Sequence, residues 1–210
     1  ARLFLPVIVC IFVGSEFVFK TSRQNIIDGL SREQFFLAKM VFVLFMAVVF
    51  FVIYLVLVLT FGYIIVDKSE ITGAIIRGVD LQMMGAFIVM LIGFGLIATL
   101  FGIASRNTGT AIGLFFFYST VVEQIAPNLL RLKESLRPFA DYFHYLPINI
   151  FREVVKPGRY DPDFFAAKMA KMSGQAATFD LTTQTVWACA ALYIVLLGAA
   201  SYLLLKRTDL

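Results

Sequence analysis

The sequence predicts an all-α fold, a polytopic bundle of transmembrane helices. Hydrophobic residues make up 60% of the 210-residue chain and charged residues only 15%, and the mean hydropathy is +0.86. A soluble domain has roughly a quarter charged residues. The apolar residues are grouped in runs close to the roughly 20 residues that cross a bilayer. Because these runs lack the strict alternation of a barrel strand, helices are the structure that bonds their backbone groups in lipid.

Five predicted spans follow one another along a single transmembrane domain that comprises residues 1–210. The third span is rich in glycine, which is typical of membrane helices that pack closely. The chain begins with Ala1 and enters an apolar run almost at once, so we expect a further N-terminal portion before it. In order, the spans cover about residues 3–19, 41–62, 81–104, 110–126 and 183–205.

Lysine and arginine residues near the spans predict the side of the membrane on which each connection lies. The loop 20–39, the turn near Arg106 and the basic C-terminal tail are placed inside, which leaves the segment 127–182 extracytoplasmic. The inverted topology is the alternative. In the long segment, leucine spacing predicts an amphipathic helix over 128–137, and a short helix is expected over 161–172. No basic stripe interleaved with aromatic residues accompanies the net charge of +4, so we expect membrane lipids, and no nucleic acid, as partners.

The loop after the first span contains the signatures of two helix starts. Thr21 or Ser22 is expected to cap a short helix, which Gly29 ends in the left-handed conformation. Ser31 then begins the next helix, and Gln34 completes a capping box three residues later. The loop is therefore expected to hold a short helix at the basic face of the membrane.

The composition of this short helix suits a protein partner. Ile26 and Ile27 can insert into a groove while their polar neighbours bond around its rim. An interfacial helix that rests on lipid headgroups is the alternative. The candidate partner-contacting residues are Arg23, Gln24, Asn25, Ile26, Ile27 and Asp28.

The order of these features resembles the membrane subunits of ABC-2-type transporters. Glu16 is followed by the short helix RQNIIDGLSR and then by Lys39 at the entry to the next span. The pattern RQN-x-x-DG-x-SR and the Tyr118–Glu123 run are similar to permeases of Bacteroidetes-type bacteria. The resemblance implies a six-helix fold whose first transmembrane helix is absent here, a cytoplasmic coupling helix and a partly re-entrant stretch before the last span.

The resemblance also implies a function. The chain would be a permease subunit in the bacterial inner membrane that forms the substrate path of an ATP-binding cassette transporter, with export as the expected direction. A separate ATPase subunit would bind ATP and Mg²⁺ and dock on the coupling helix, and a second permease subunit, identical or homologous, would complete the path. Structural roles at the loop are implied for Glu16, Gly29, Ser31, Arg32 and Lys39. The ionic partner expected for Glu16 is Lys20 or Lys39.

Glu123 lies inside the fourth predicted span, beside Gln124. A carboxylate within a membrane is costly and is a candidate for function, so both residues are candidates for a substrate path. Alternatively, Glu123 pairs with a basic group of a neighbouring helix. The interpretation that we favour from the sequence is a solvated position near the outer headgroups, because Pro127 follows shortly after it.

Motifs of several enzyme classes are missing from the sequence. It contains no G-x-x-x-x-G-K-[ST], H-E-x-x-H or G-x-S-x-G pattern, so nucleotide hydrolysis is expected in a partner. With His144 as the sole histidine, no metal site is expected. We therefore expect neither an enzyme nor a bound cofactor in this chain. Two alternatives remain: a membrane-embedded lipid-modifying enzyme that uses Glu123 or His144, and a membrane assembly protein that has a permease-like fold without moving a solute.

Overall fold

The computed structural model describes residues 2–27, 29–65, 78–133, 136–156 and 181–207, and the regular structure in these ranges is helical. The long helices are separated by short turns and by one cluster of short helices near the end of the chain. In order, the elements are α1 (Phe4–Val18), α2 (Thr21–Ile27), α3 (Arg32–Ile65), α4 (Gly78–Ser105), α5 (Thr108–Phe117), a π-helix (Tyr118–Ile125), α6 (Ala126–Arg131), α7 (Arg137–Tyr142), a 3₁₀ turn (Phe143–Tyr145), α8 (Pro147–Val154) and α9 (Thr183–Arg207).

Four helical stretches in the described part of the chain are long and apolar enough to cross a membrane. They correspond to the second to fifth predicted spans, and they identify the chain as a helical protein of the multi-pass membrane type. They extend over Arg32–Phe61, Asp80–Ser105, Thr108–Arg131 and Thr183–Arg207.

The first predicted span differs from the other four. The structure has a helix of 15 residues, α1, which is about 22 Å long, whereas a bilayer core is roughly 30 Å thick. It is nevertheless part of the core, because Leu5, Val9 and Val13 are fully buried and α1 packs against α4 and α5. The described residues therefore give four helices long enough to span a membrane and one short apolar helix, where the sequence predicted five spans.

Helix α4 is the centre of the bundle. In its most apolar window 72% of the residues are buried, against 11% in α3. An added Cβ at Gly93 would lie 2.4 Å from the Phe151 ring, so the close approach of the neighbouring helix depends on glycine. The glycine-rich pattern predicted this packing. Three glycines of α4 each lie under a neighbouring side chain: Gly93 under Phe151, Gly95 under Val43 and Gly102 under Val13.

The fourth predicted span is longer and less regular than its sequence indicates. It continues through Pro127 to Arg131, because the proline stands in the first turn of α6, where no N–H is required. The amphipathic helix predicted over 128–137 is wrong as one helix: α6 ends at Arg131, and a new helix begins at Arg137 with Pro138 in its first turn. The helix expected over 161–172 lies outside the described residues.

Helix α8 is short but deeply buried. Its residues Ile148, Ile150, Phe151 and Val154 have no exposed surface. It packs against α4 and α9, and Phe151 covers Gly93 near the middle of α4. The chain therefore returns into the bundle between the fourth and the last long helix.

Candidate functional site

The loop between α1 and α3 is held by local hydrogen bonds. The hydroxyl of Thr21 donates to the Glu16 carbonyl oxygen at 3.2 Å. Thr21 and Ser22 both lie inside α2, which is preceded by Lys20 with φ 57°. The prediction that Thr21 or Ser22 caps this helix from outside is therefore wrong. Gly29 has φ +101°, so the predicted left-handed glycine is confirmed.

The predicted capping box at the start of α3 is present. The Gln34 N–H donates to Ser31 Oγ at 3.2 Å, and the Ser31 N–H donates to Gln34 Oε1 at 2.9 Å. Both bonds engage backbone donors that a helix start leaves without an intrahelical acceptor. They fix the direction in which α3 leaves the loop.

An ion pair joins the two helices on either side of the loop. The Lys39 ammonium pairs with the Glu16 carboxylate, and it lies 4.3 Å from the centroid of the Phe35 ring and 4.8 Å from that of Phe12. Only 2% of the Lys39 surface is exposed. Of the two partners expected for Glu16, the structure selects Lys39. Because a buried charge that loses its partner is costly, this contact holds α1 and α3 together beside the loop.

Three basic segments lie at the same end of the bundle, which we call the loop end and define by α2, the Arg106–Asn107 turn and the Lys206–Arg207 terminus of α9. The Arg32 guanidinium donates to the Lys206 carbonyl oxygen at 2.5 Å. An added Cβ on Gly14 of α1 would lie 2.7 Å from the Thr108 Cα, so α1 also approaches the turn closely. The shared end agrees with the grouping predicted from the lysine and arginine residues.

Helix α2 offers an exposed surface at the loop end. Ile27 is 83% exposed and Gln24 is exposed. The structure describes the backbone, and not the side chains, of Arg23, Asn25 and Ile26, and Asp28 lies outside the described residues. Two of the six candidate contact residues can thus be located, and both face outward.

Glu123 lies in the π-helix at the other end of the bundle, and only 2% of its surface is exposed. Its carboxylate oxygens accept the backbone N–H of Ile148 at 3.0 Å and that of Asn149 at 2.6 Å. These donors form the first turn of α8, which is the positive end of a helix dipole. The favoured prediction of a solvated Glu123 is therefore wrong, because α8 folds back onto it.

Asn149 is a site residue that the sequence reasoning missed. Its side-chain nitrogen donates to the carbonyl oxygens of Phe143 at 2.9 Å and of Glu123 at 3.3 Å. The hydroxyl of Tyr193 in α9 donates to the Tyr145 carbonyl oxygen at 2.7 Å. The available signal was Pro147, which is typical of the first position of a helix and indicates where free N–H groups begin.

A cleft of about 240 Å³ with mixed polar and apolar lining opens between α6 and the α7–α8 segment. Glu123 forms part of its lining together with Gln124, the second candidate for a substrate path, so the structure brings these two residues to one surface. We call this end of the bundle the cleft end. The lining residues are Glu123, Gln124, Pro127, Asn128, Arg131, Phe143, His144 and Asn149.

His144 is hydrogen-bonded to an arginine at the rim of the cleft. Its Nε2 lies 2.8 Å from Nη2 of Arg131, and since a guanidinium only donates, Nε2 accepts and the imidazole is neutral. Burial, and then the Arg131 charge, lower the pKa of His144 below its usual 6.5. Arg131 Nη2 also lies 3.7 Å from an Asp141 carboxylate oxygen. This geometry gives His144 the role of a hydrogen-bond acceptor.

Comparisons with known proteins add no further assignment. A scan against protein families, a search of curated proteins and a search of solved structures each found no match.

Proposed function

We propose that this chain is the permease subunit of an ABC-2-type transporter, and that a separate ATPase subunit docks on α2 at the loop end. The observation that carries the proposal is how α2 is held. The Glu16–Lys39 ion pair joins the helices on either side of it, while Ile27 remains 83% exposed. An exposed helix between two helices that an ion pair joins suits the transmission of force from a soluble motor.

Helix α2 is joined to the helices on both sides of it by short segments of the chain. A push on this helix acts on α1 through the short connection at Lys20 and the Thr21–Glu16 hydrogen bond, and on α3 through the short connection that ends at the Ser31–Gln34 capping box. Helix α3 has 34 residues and is therefore about 50 Å long, so a small tilt at its base moves its far end by several ångströms. ATP binding to the partner would favour one of two orientations through its different affinity for each.

The other parts of the proposal follow from the same resemblance. ATP and Mg²⁺ bind to the ATPase subunit, a second permease subunit completes the substrate path, and transport is outward across the bacterial inner membrane. Among the alternatives, an enzyme that uses Glu123 as an acid or base is disfavoured, because both of its oxygens accept backbone N–H groups. An assembly protein without transport differs from the proposal only in the absence of substrate movement.

Site-specific crosslinking from the exposed face of α2 tests the docking. Ile27→Cys is compared with Leu132→Cys, which is 82% exposed and lies at the cleft end. Both variants carry Cys189→Ser, since Cys189 is half-buried and Cys10 is buried. In cells, a crosslinker with a thiol-reactive group is expected to attach a Walker-type ATPase to Ile27→Cys and not to Leu132→Cys. Equal capture by both variants, or the absence of an ATPase, would contradict the proposal.

The same two variants test the orientation. A membrane-impermeant thiol reagent added to intact cells is expected to label Leu132→Cys and to leave Ile27→Cys unlabelled until the cells are opened. Labelling of Ile27→Cys from outside would place α2 on the wrong side of the membrane for an ATPase. Reconstitution with the captured ATPase then separates a transporter from an assembly protein, because only the transporter moves solute.

A further inference from the structure

Three side-chain amides in the cleft have their nitrogen atoms turned towards backbone carbonyl groups. Gln124 Nε2 donates to the Ser119 carbonyl oxygen at 2.9 Å. Asn128 Nδ2 donates to the Gln124 carbonyl oxygen at 2.8 Å. Asn149 Nδ2 donates to two carbonyl oxygens, of which that of Phe143 is the closer.

These contacts determine which atoms remain for a ligand. A carbonyl oxygen cannot donate, so the nitrogen end of each amide must face it, and the oxygen end must point elsewhere. Among the residues that the structure describes, none of the three amide oxygens accepts a hydrogen bond. All three residues line the cleft, so it offers up to three amide acceptors with open capacity.

The cleft also holds a donor and an apolar wall. Arg131 uses Nη2 for its contacts with both His144 and Asp141. Its Nε and Nη1 have no acceptor within the described ranges. The Phe143 ring contributes apolar lining. At about 30 Å³ for each water molecule, a cleft of about 240 Å³ has room for about eight waters, which is the size class of one sugar ring.

The cleft lies at a depth in the membrane where a ligand can enter it from water. A bilayer core takes roughly 20 helical residues, and counting from Thr108, where the span begins, these end near Pro127. Asn128 and Arg131 follow that point and are exposed. The lining residues therefore lie at the headgroup boundary of the cleft end.

We propose that the cleft binds a neutral polyhydroxyl group, a sugar ring or a comparable polyol. A hydroxyl both donates and accepts, so it can bond to the amide oxygens and to Arg131 at once. An anion would face the amide oxygens, and a cation would face the Arg131 charge. This site goes beyond the proposed function and needs no ATPase subunit.

Saturation-transfer NMR on the purified full chain in lipid nanodiscs tests the proposal. Maltoside and glucoside detergents must be removed, because their headgroups belong to the proposed ligand class. The probes are methyl α-glucopyranoside, sodium acetate and tetramethylammonium chloride. Transfer to the ring protons of the glucoside is expected, with little or none to the ionic probes. Absence of transfer to the glucoside, or stronger transfer to either ion, would overturn the proposal.

Matched variants assign the binding to the amide oxygens. Asn128→Leu removes an exposed acceptor and is expected to weaken glucoside binding about three- to tenfold, the effect of one hydrogen bond. Asn128→Gln keeps both an amide nitrogen for the Gln124 carbonyl oxygen and an acceptor oxygen, and it is expected to stay within about threefold of the parent protein. Gln184→Leu, an exposed amide at the start of α9 outside the cleft, serves as the control. If Asn128→Leu does not fold, Gln124→Met replaces it, with the same loss expected. Unchanged binding in the folded acceptor-lacking variant would refute the site.

Discussion

Two carboxylates at opposite ends of the bundle, the partly buried Glu16 and the buried Glu123, are stabilised in different ways. Glu16 at the loop end pairs with the ammonium of Lys39. Glu123 at the cleft end accepts backbone N–H groups of Ile148 and Asn149. The first contact joins two helices across a short loop, whereas the second fixes the start of a short helix inside the bundle.

The comparison shows that a buried carboxylate needs compensation, which can come mainly from backbone hydrogen bonds with the charge of Arg152 at longer range. At the loop end the compensation is concentrated in one ammonium, so its removal leaves a whole charge without a partner. At the cleft end it is distributed over neighbouring peptide groups of a helix N-terminus. We therefore expect the loop end to be more sensitive than the cleft end to a single substitution.

The largest effect is expected from Lys39→Met. It leaves Glu16 partly buried without its cation and should lower the free energy of unfolding by about 3–5 kcal/mol. Circular dichroism during denaturant unfolding in micelles measures this. Lys206→Met at the exposed terminus of α9 is the control and should stay within about 0.5 kcal/mol. In the double variant Glu16→Gln/Lys39→Met most of the stability should return. A loss as large as that of Lys39→Met alone would show that the Lys39 ammonium does not compensate the Glu16 charge.

Glu123→Leu is expected to have the next largest effect. It leaves two buried N–H groups of α8 without an acceptor and should destabilise the chain by about 2–4 kcal/mol. Glu123→Gln keeps one acceptor oxygen and should lose about half as much. Hydrogen exchange at Ile148 and Asn149 should rise in both variants, and more in the leucine variant. Equal stability of Glu123→Leu and the parent protein would show that α8 does not depend on this carboxylate.

A lower pH should reduce the free energy of unfolding through His144 at the cleft end, by less than the two substitutions above. The pKa of His144 is lowered by burial and by Arg131, so the unfolded chain binds its proton at higher pH than the folded chain does. Stability from this group is therefore complete above pH 6.5, the usual value, and is lost as the pH falls below it. Unfolding measured at pH 7.5 and 5.5 should show this loss, and His144→Asn should reduce it. An equal pH dependence in both proteins would contradict the assignment.

The smallest effect on stability is expected from Ile27→Asp. The side chain is 83% exposed, so the free energy of unfolding should change by less than about 0.5 kcal/mol. ATP-driven transport in proteoliposomes with the ATPase partner should fall at least about tenfold, if an apolar contact worth about 1.4 kcal/mol or more is lost. Full transport activity of this variant would show that Ile27 of α2 does not couple ATP hydrolysis to transport.

Much of the loop end could be predicted from the sequence because its contacts are local. The Ser31–Gln34 capping box joins residues three apart, and the left-handed Gly29 follows from the absence of a side chain. The long apolar helices followed from hydropathy, since lipid requires every backbone group to be bonded within the segment. The choice between Lys20 and Lys39 as the partner of Glu16 needed the structure, because it depends on how α1 and α3 pack.

The cleft end was decided by tertiary structure. Glu123 and the first turn of α8 are about 25 residues apart in the sequence, and their contact exists only because α8 returns into the bundle over Gly93. The orientation of the Asn149 amide likewise depends on the distant Glu123 carbonyl group, whereas Gln124 and Asn128 bond to carbonyl groups five and four residues before them in the irregular π-helix. Hydropathy and local capping thus determined which segments are helical and where one of them begins, whereas the contacts between distant helices determined which polar groups are buried, paired or open to a ligand.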